Sequence, residues 1–294
     1  MPENIKPMIE KVFELAGVFV EEIRFRVSKP LIIVTDVGSY GVLPDGSLTS
    51  IFGNAYIIRE RDIKQLFQSV CENSVYAYLE EIKQGFITVR GGNRVGICGK
   101  AVVEDGKIEN IRDISGINFR VSKEIIGSSD EIISNILKDE KIINTLIVSP
   151  PKGGKTTIIR DIARQISNAG FKVGIIDERS EIAAVYKGIH KNDVGLNTDV
   201  LDCVPRNLGI VMMLRSMSPD VLITDEIATK DDAKAVEQAI GCGVSIVATA
   251  HGESIDDVKT RKNIDFILGN GGFEQVITIS RMGRSVNFSV ARAE

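Results

Sequence analysis

The chain has 294 residues, a net charge of −4, and 43% hydrophobic against 26% charged residues. That length can bury the core of one large or two ordinary domains, and the acidic balance argues against a strong nonspecific nucleic-acid binder. Cys71, Cys98, Cys203 and Cys242 are widely spaced with no C-x-x-C pair, which argues against zinc or a disulfide framework and fits a reducing, cytoplasmic setting. The first residues lack the charged-then-apolar order of a signal peptide. No apolar run approaches the ~20 residues that cross a bilayer, so membrane association is expected only through partners.

Residues 5–19 have helical apolar spacing, closed by Gly17. Glu22-Ile23-Arg24-Phe25-Arg26-Val27 alternates with period two, as a half-buried strand does. Further strands are expected at 31–34 and 39–43, helices at 61–70 and 75–83, and strands at 86–90, 94–103 and 114–121. Asp105-Gly106 signals a hairpin. These elements predict a mixed α+β domain over 1–126. The polar stretch Gly127-Ser128-Ser129-Asp130-Glu131 marks the boundary and can cap a helix at 131–138. Over 127–294 the order is strand 143–148, helix 155–168, strand 172–176, helix 207–217, strand 221–224, helix 231–240 and strand 244–248. That alternation predicts an α/β domain with a mostly parallel sheet covered on both faces. Segments 264–268, 275–280 and 284–291 are expected as closing strands.

The second domain is organised around Ser149-Pro150-Pro151-Lys152-Gly153-Gly154-Lys155-Thr156-Thr157. A buried strand precedes it and a helix follows, which is the context a phosphate-binding P-loop (Walker A) requires. Backbone N–H groups and the helix dipole would cradle the phosphates of ATP. Lys155 would reach the β- and γ-phosphates, and the Thr156 hydroxyl would take Mg²⁺. Ser149 stands where the pattern G-x-x-x-x-G-K-[ST] has its first glycine.

Val221-Leu222-Ile223-Thr224-Asp225-Glu226 reads as a buried strand ending in two carboxylates, a Walker B pattern. ATP hydrolysis needs one acid for Mg²⁺ and one to orient or deprotonate water; Asp225 is assigned to the metal and Glu226 to the water. Ser245-Ile246-Val247-Ala248-Thr249-Ala250-His251 ends in one of only two histidines. Ligands sit at carboxyl ends of parallel strands, so Thr249 and His251 are candidate sensors of nucleotide state. Asp177-Glu178-Arg179-Ser180-Glu181 ends another strand, and Glu178 and Glu181 compete with Glu226 for the base, Glu178 being second choice. Arginines that could complete a neighbouring subunit's site are Arg206, Arg215, Arg261, Arg281 and Arg284, with Arg94, Arg112 and Arg120 of the first domain. Gly91-Gly92-Asn93-Arg94-Val95-Gly96 reads as a turn, since no helix follows it.

Several of these stretches, with Leu214-Arg215-Ser216-Met217-Ser218-Pro219-Asp220 and Asp199-Val200-Leu201-Asp202, resemble the stage III sporulation protein AA family of endospore-forming bacteria along nearly the whole chain. That family is similar to the ring ATPases of type II and type IV secretion and pilus systems. The resemblance implies a RecA-like ATPase domain behind an N-terminal partner or oligomer interface. It also implies a homo-oligomer, a hexamer, serving a membrane-anchored channel between mother cell and forespore. Segments 177–181 and 249–251 match the acidic and histidine boxes of those ATPases. Two other functions share the core: a RecA-like motor driven by nucleic acid, disfavoured by 5% aromatics and the net charge, and a nucleotide-binding scaffold without turnover.

Overall fold

The computed structural model describes every residue except 16–18, 90–92, 122–123, 152, 283–284 and 294. The chain divides into two compact units, Met1–Lys123 and Glu124–Glu294.

The first unit contains α1 (Lys6–Glu14), β1 (Val20–Arg26), β2 (Ile32–Thr35), β3 (Gly38–Val42), β4 (Leu48–Thr49), α2 (Glu60–Val70), α3 (Leu79–Lys83), β5 (Phe86–Val89), β6 (Asn93–Glu104) and β7 (Lys107–Arg120). The strands form a seven-stranded sheet ordered β4-β3-β2-β1-β7-β6-β5, antiparallel throughout. Side-chain alternation assigns the faces: Ile23 and Phe25 are buried, while Arg24 between them is exposed. The buried face packs on Met8, Ile9 and Val12 of α1 and on Ile63, Leu66 and Val70 of α2. Asp105 and Gly106 turn the β6–β7 hairpin at φ 49° and 75°, so β7 begins well before residue 114.

The second unit opens with α4 (Ile133–Ile136), β8 (Leu137–Lys138) and β9 (Lys141–Ile142). The helix expected over 131–138 is cut short because Asp139 and Glu140 adopt φ 46° and 59°, which reverses the chain into a small hairpin. The remaining elements are β10 (Thr145–Ser149), α5 (Lys155–Asn168), β11 (Val173–Asp177), β12 (Val185–Tyr186), β13 (Ile189–His190), β14 (Thr198–Asp202), α6 (Arg206–Ser216), β15 (Val221–Thr224), α7 (Lys230–Gly241), β16 (Ser245–His251), α8 (Ile255–Lys259), α9 (Lys262–Gly269), β17 (Gln275–Met282) and β18 (Ser285–Arg292).

Their main sheet runs β14-β11-β15-β16-β10-β17-β18, parallel except for the β17–β18 pair. One face packs Ile147, Ile175, Ile223 and Val247 against Ile158, Ile159, Ile162 and Ile166 of α5. The other packs Leu146, Val148, Leu222 and Ala248 against apolar residues of α6, α7 and α9. Burying both faces accounts for the near-continuous apolar composition of β10, β11 and β15. Segment 264–268 is helical rather than a strand: Ile264, Ile267 and Leu268 are spaced i, i+3, i+4 and are the buried residues of α9. Strand β14 was not expected; it is only partly buried and carries exposed Asp199.

The polar stretch after residue 126 is fastened to α5. Asp161 accepts hydrogen bonds from Gly127 N (3.1 Å), Ser129 N (2.9 Å) and the Ser129 hydroxyl (2.7 Å). Burial opposes its charge, but the bonds from Ser129, Arg164 and Gln165 prevail and hold its pKa at about 2.

Candidate functional site

Ser149, at the end of β10, lies beside His251, at the end of β16, in the parallel register. The chain turns through Pro150 and Pro151 to Gly153 and Gly154; Lys152 lies outside the described residues. Gly154 caps α5 at φ 93°, a conformation glycine adopts without a Cβ clash. The Ser149 hydroxyl donates to Pro150 O at 3.1 Å and fills the space where a Cβ on Gly153 would fall. Gly153 therefore makes room for the serine that replaces the usual first glycine. Lys155, Thr156 and Thr157 form the first turn of α5, where N–H groups lack intrahelical partners and the dipole favours an anion.

Lys155 folds back over this loop. Its Nζ donates to Ser149 O (2.8 Å) and Pro150 O (3.2 Å) and lies 2.9 Å from His251 Nδ1. Burial lowers the Lys155 pKa, against the opposing pull of Glu226. An ammonium can only donate, so in this contact Nδ1 accepts and Nε2 is left to face Glu226. Nε2 lies 3.1 Å from Glu226 Oε1, and Glu226 Oε2 lies 3.4 Å from Arg179 Nη1. The Glu226 backbone N–H donates to Thr249 Oγ1 at 2.8 Å, holding a non-glycine residue at φ 34°, a sparsely populated conformation. The ends of β11, β15 and β16 thus meet the P-loop in one chain of contacts: Lys155, His251, Glu226, Arg179.

A second cluster lies at the same carboxyl end of the sheet. Arg206, 6% exposed, places Nη2 2.8 Å from Glu178 Oε2 and 3.1 Å from Asp225 Oδ1, and Nη1 3.4 Å from Asp232 Oδ2. Its Nε donates to Thr224 Oγ1 at 3.2 Å. Asp177 accepts from the backbone N–H groups of Glu181 (2.8 Å), Ile182 (2.9 Å) and Ala183 (2.9 Å). Burial raises its pKa to about 6 despite those bonds, helped by Asp225 and Asp202.

Lys155, His251 and Glu226 therefore come together, with Thr249 fixing the Glu226 backbone. Asp225 and Glu178 belong to the Arg206 cluster, and the Glu181 carbonyl accepts from Arg160 at 2.6 Å. Burial removes Arg206 from the arginines available to a neighbour, whereas Arg215 and Arg261 are exposed. Arg284, Gly91 and Gly92 lie outside the described residues. The roles of Arg206, Arg179 and Asp232 were missed. One signal was readable for Arg206: a cation at the first position of a helix opposes the dipole and requires nearby carboxylates.

No three or more His, Cys, Asp or Glu side chains among the described residues are grouped to hold a metal on their own. Magnesium carried by nucleotide phosphates needs only one or two protein ligands. The half-buried Thr156 hydroxyl and the Asp225 carboxylate are chemically suited to that role.

This sheet order, with a glycine turn between β10 and α5, is that of a RecA-like P-loop ATPase fold. The chain belongs to the family described as sporulation stage III, protein AA, whose family model matches residues 6–288. It is 34% identical over 287 residues to stage III sporulation protein AA of Bacillus subtilis strain 168, covering 96% of this chain and 89% of that protein. Among solved structures, the Legionella pneumophila ATPase DotB matches with TM-score 0.63 at 16% identity, over 100% of this chain and 83% of its own. The pilus retraction motor PilT, solved with bound ADP, matches with TM-score 0.63 at 17% identity, over 99% of this chain and 83% of its own. No helix among the described residues is long and apolar enough to cross a membrane.

Proposed function

We propose that this protein is a Mg²⁺-dependent ATPase that works as a homo-oligomer, a hexameric ring. Its work would be to power or assemble a secretion-like channel between mother cell and forespore during sporulation. The observation that carries the ATPase reading is the meeting of Lys155, His251 and Glu226 where β10, β15 and β16 end. In this reading the backbone of 149–157 cradles the phosphates, and Lys155 leaves the Ser149 and Pro150 carbonyls and His251 for the β- and γ-phosphates. Thr156 and Asp225 would hold Mg²⁺, which when bound would supply charge neutralisation for the phosphates. Glu226 takes the proton of the attacking water, with Glu178 as second choice, and His251 positions Glu226 and senses the nucleotide.

The first unit, 1–126 in the sequence reading, serves as partner or oligomer interface, and one of the exposed arginines completes a neighbour's site. Membrane association comes through channel partners, on the mother-cell side, without a span of its own.

A second reading, a nucleotide-binding scaffold without turnover, draws on the Lys155 ammonium being held by its own loop and His251. Phosphate release, together with sedimentation with and without ATP, separates the two. Turnover with nucleotide-promoted assembly supports the motor; tight binding without phosphate release supports the scaffold; monomers under all conditions would sink the ring.

A further inference from the structure

Arg206 is built into the site rather than offered to a neighbour. Its guanidinium meets Glu178 at the end of β11, Thr224 and Asp225 at the end of β15, and Asp232 in the first turn of α7. Asp232 also caps α7, accepting from Ala228 N (3.3 Å) and Thr229 N (2.9 Å). One fork-shaped cation therefore ties two strand ends to the helix that follows Glu226. Glu226, the neighbour of Asp225 in sequence, pairs instead with His251 and Arg179.

We propose that Arg206 is a positioning residue that divides labour among the carboxylates, fixing Asp225 and Glu178 in place and leaving Glu226 for the water. The proposal rests on the ATPase reading. Its physical basis is the planar guanidinium, whose fixed donor directions hold several carboxylates in set orientations, as the freely rotating ammonium of a lysine does not. It also gives Asp225 a set orientation, through Oδ1 on Arg206. The segment from Asp225 to Thr229 is then held at both ends, by Arg206 through Asp225 and Asp232 and by Thr249 through the Glu226 backbone.

The test compares Arg206→Lys and Arg206→Gln with wild type in ATP turnover, in affinity for a fluorescent ADP analogue without Mg²⁺, and in amide exchange. Loss of a supporting residue of this kind costs about 10- to 100-fold in activity or metal affinity. The expected result is a kcat about 30-fold lower in Arg206→Gln, partly restored in Arg206→Lys, with ADP affinity within about threefold of wild type. Exchange should rise at Glu226, Ala228 and Thr229 while α5 stays protected.

Equal losses of kcat and ADP affinity that track the folded fraction would overturn the proposal, as would wild-type kcat in Arg206→Gln. Removing one partner of a buried ion pair is strongly destabilising, so if Arg206→Gln does not fold, Arg206→Lys carries the comparison. If the wild type hydrolyses no ATP, the ATPase reading fails and exchange alone decides the positioning claim. Unchanged exchange at Glu226, Ala228 and Thr229 in Arg206→Lys would then refute it.

Discussion

Around Glu226 the side chains are partly open to solvent: 26% for Glu226, 36% for His251 and 55% for Arg179. Around Arg206, at the same carboxyl end of the sheet, Glu178 is 39% exposed but the rest are closed, with 6% for Arg206, 9% for Asp225 and 5% for Asp232. A solvated ion pair contributes little to stability and rearranges cheaply, whereas a buried one is costly to break. The first cluster is therefore suited to change partners in the proposed nucleotide cycle, and the second to keep its geometry. The difference supports the unlike duties proposed for Asp225 and Glu226, carboxylates adjacent in sequence.

Several substitutions would break or sharpen that contrast. The largest effect is expected from Glu226→Gln: kcat falls about 1,000-fold, within the span of general-base contributions, while the melting temperature moves little. A melting shift comparable to that of a buried-cluster variant would contradict the open character of this cluster. Next, Asp177→Ala should cost about 3 kcal/mol in urea unfolding, because three backbone N–H groups lose their acceptor. An unchanged urea midpoint would mean that water or another side chain replaces the carboxylate.

His251→Gln comes third, with kcat lowered about 10-fold and stability close to wild type, since the amide replaces only part of the imidazole bridge between Lys155 and Glu226. Steady-state phosphate release beside a melting curve checks it.

The smallest effect concerns pH. The folded-state pKa of Asp177 rises from 3.8 to about 6, so the folded protein keeps a proton that the unfolded chain has already lost. Its stabilising contribution is present below about pH 4 and is lost as pH rises through about 6. Asp177→Asn should flatten that trend by about 1 kcal/mol, read from urea midpoints at pH 5.2 and 7. An unchanged slope would assign the trend to other groups.

The open cluster was largely legible in the sequence. The strand, glycine turn and helix that make the loop are consecutive, and Glu226 and His251 each end an apolar run whose burial the composition announces. Parallel order then places those ends together. The buried cluster was not legible, because Arg206, Glu178, Asp225 and Asp232 come from four elements and are joined only by the sheet order β11-β15-β16 and the packing of α6 on α7. Local errors had local causes. The run Ile264-Asp265-Phe266-Ile267-Leu268 reads as a strand by density of apolar residues but as a helix by their spacing. The Asp139-Glu140 turn carries no glycine or asparagine, and its left-handed pair was hidden. The lysine parked on His251 had no signal at all, since it depends on a side-chain conformation.

The most direct measurement is ATP turnover per subunit by the purified protein across a concentration series, beside Lys155→Ala and Glu226→Gln. The account predicts turnover that rises with concentration as rings assemble and that is lost in both variants, while Glu226→Gln still binds nucleotide. A Glu226→Gln protein that turns over ATP at the wild-type rate would contradict it.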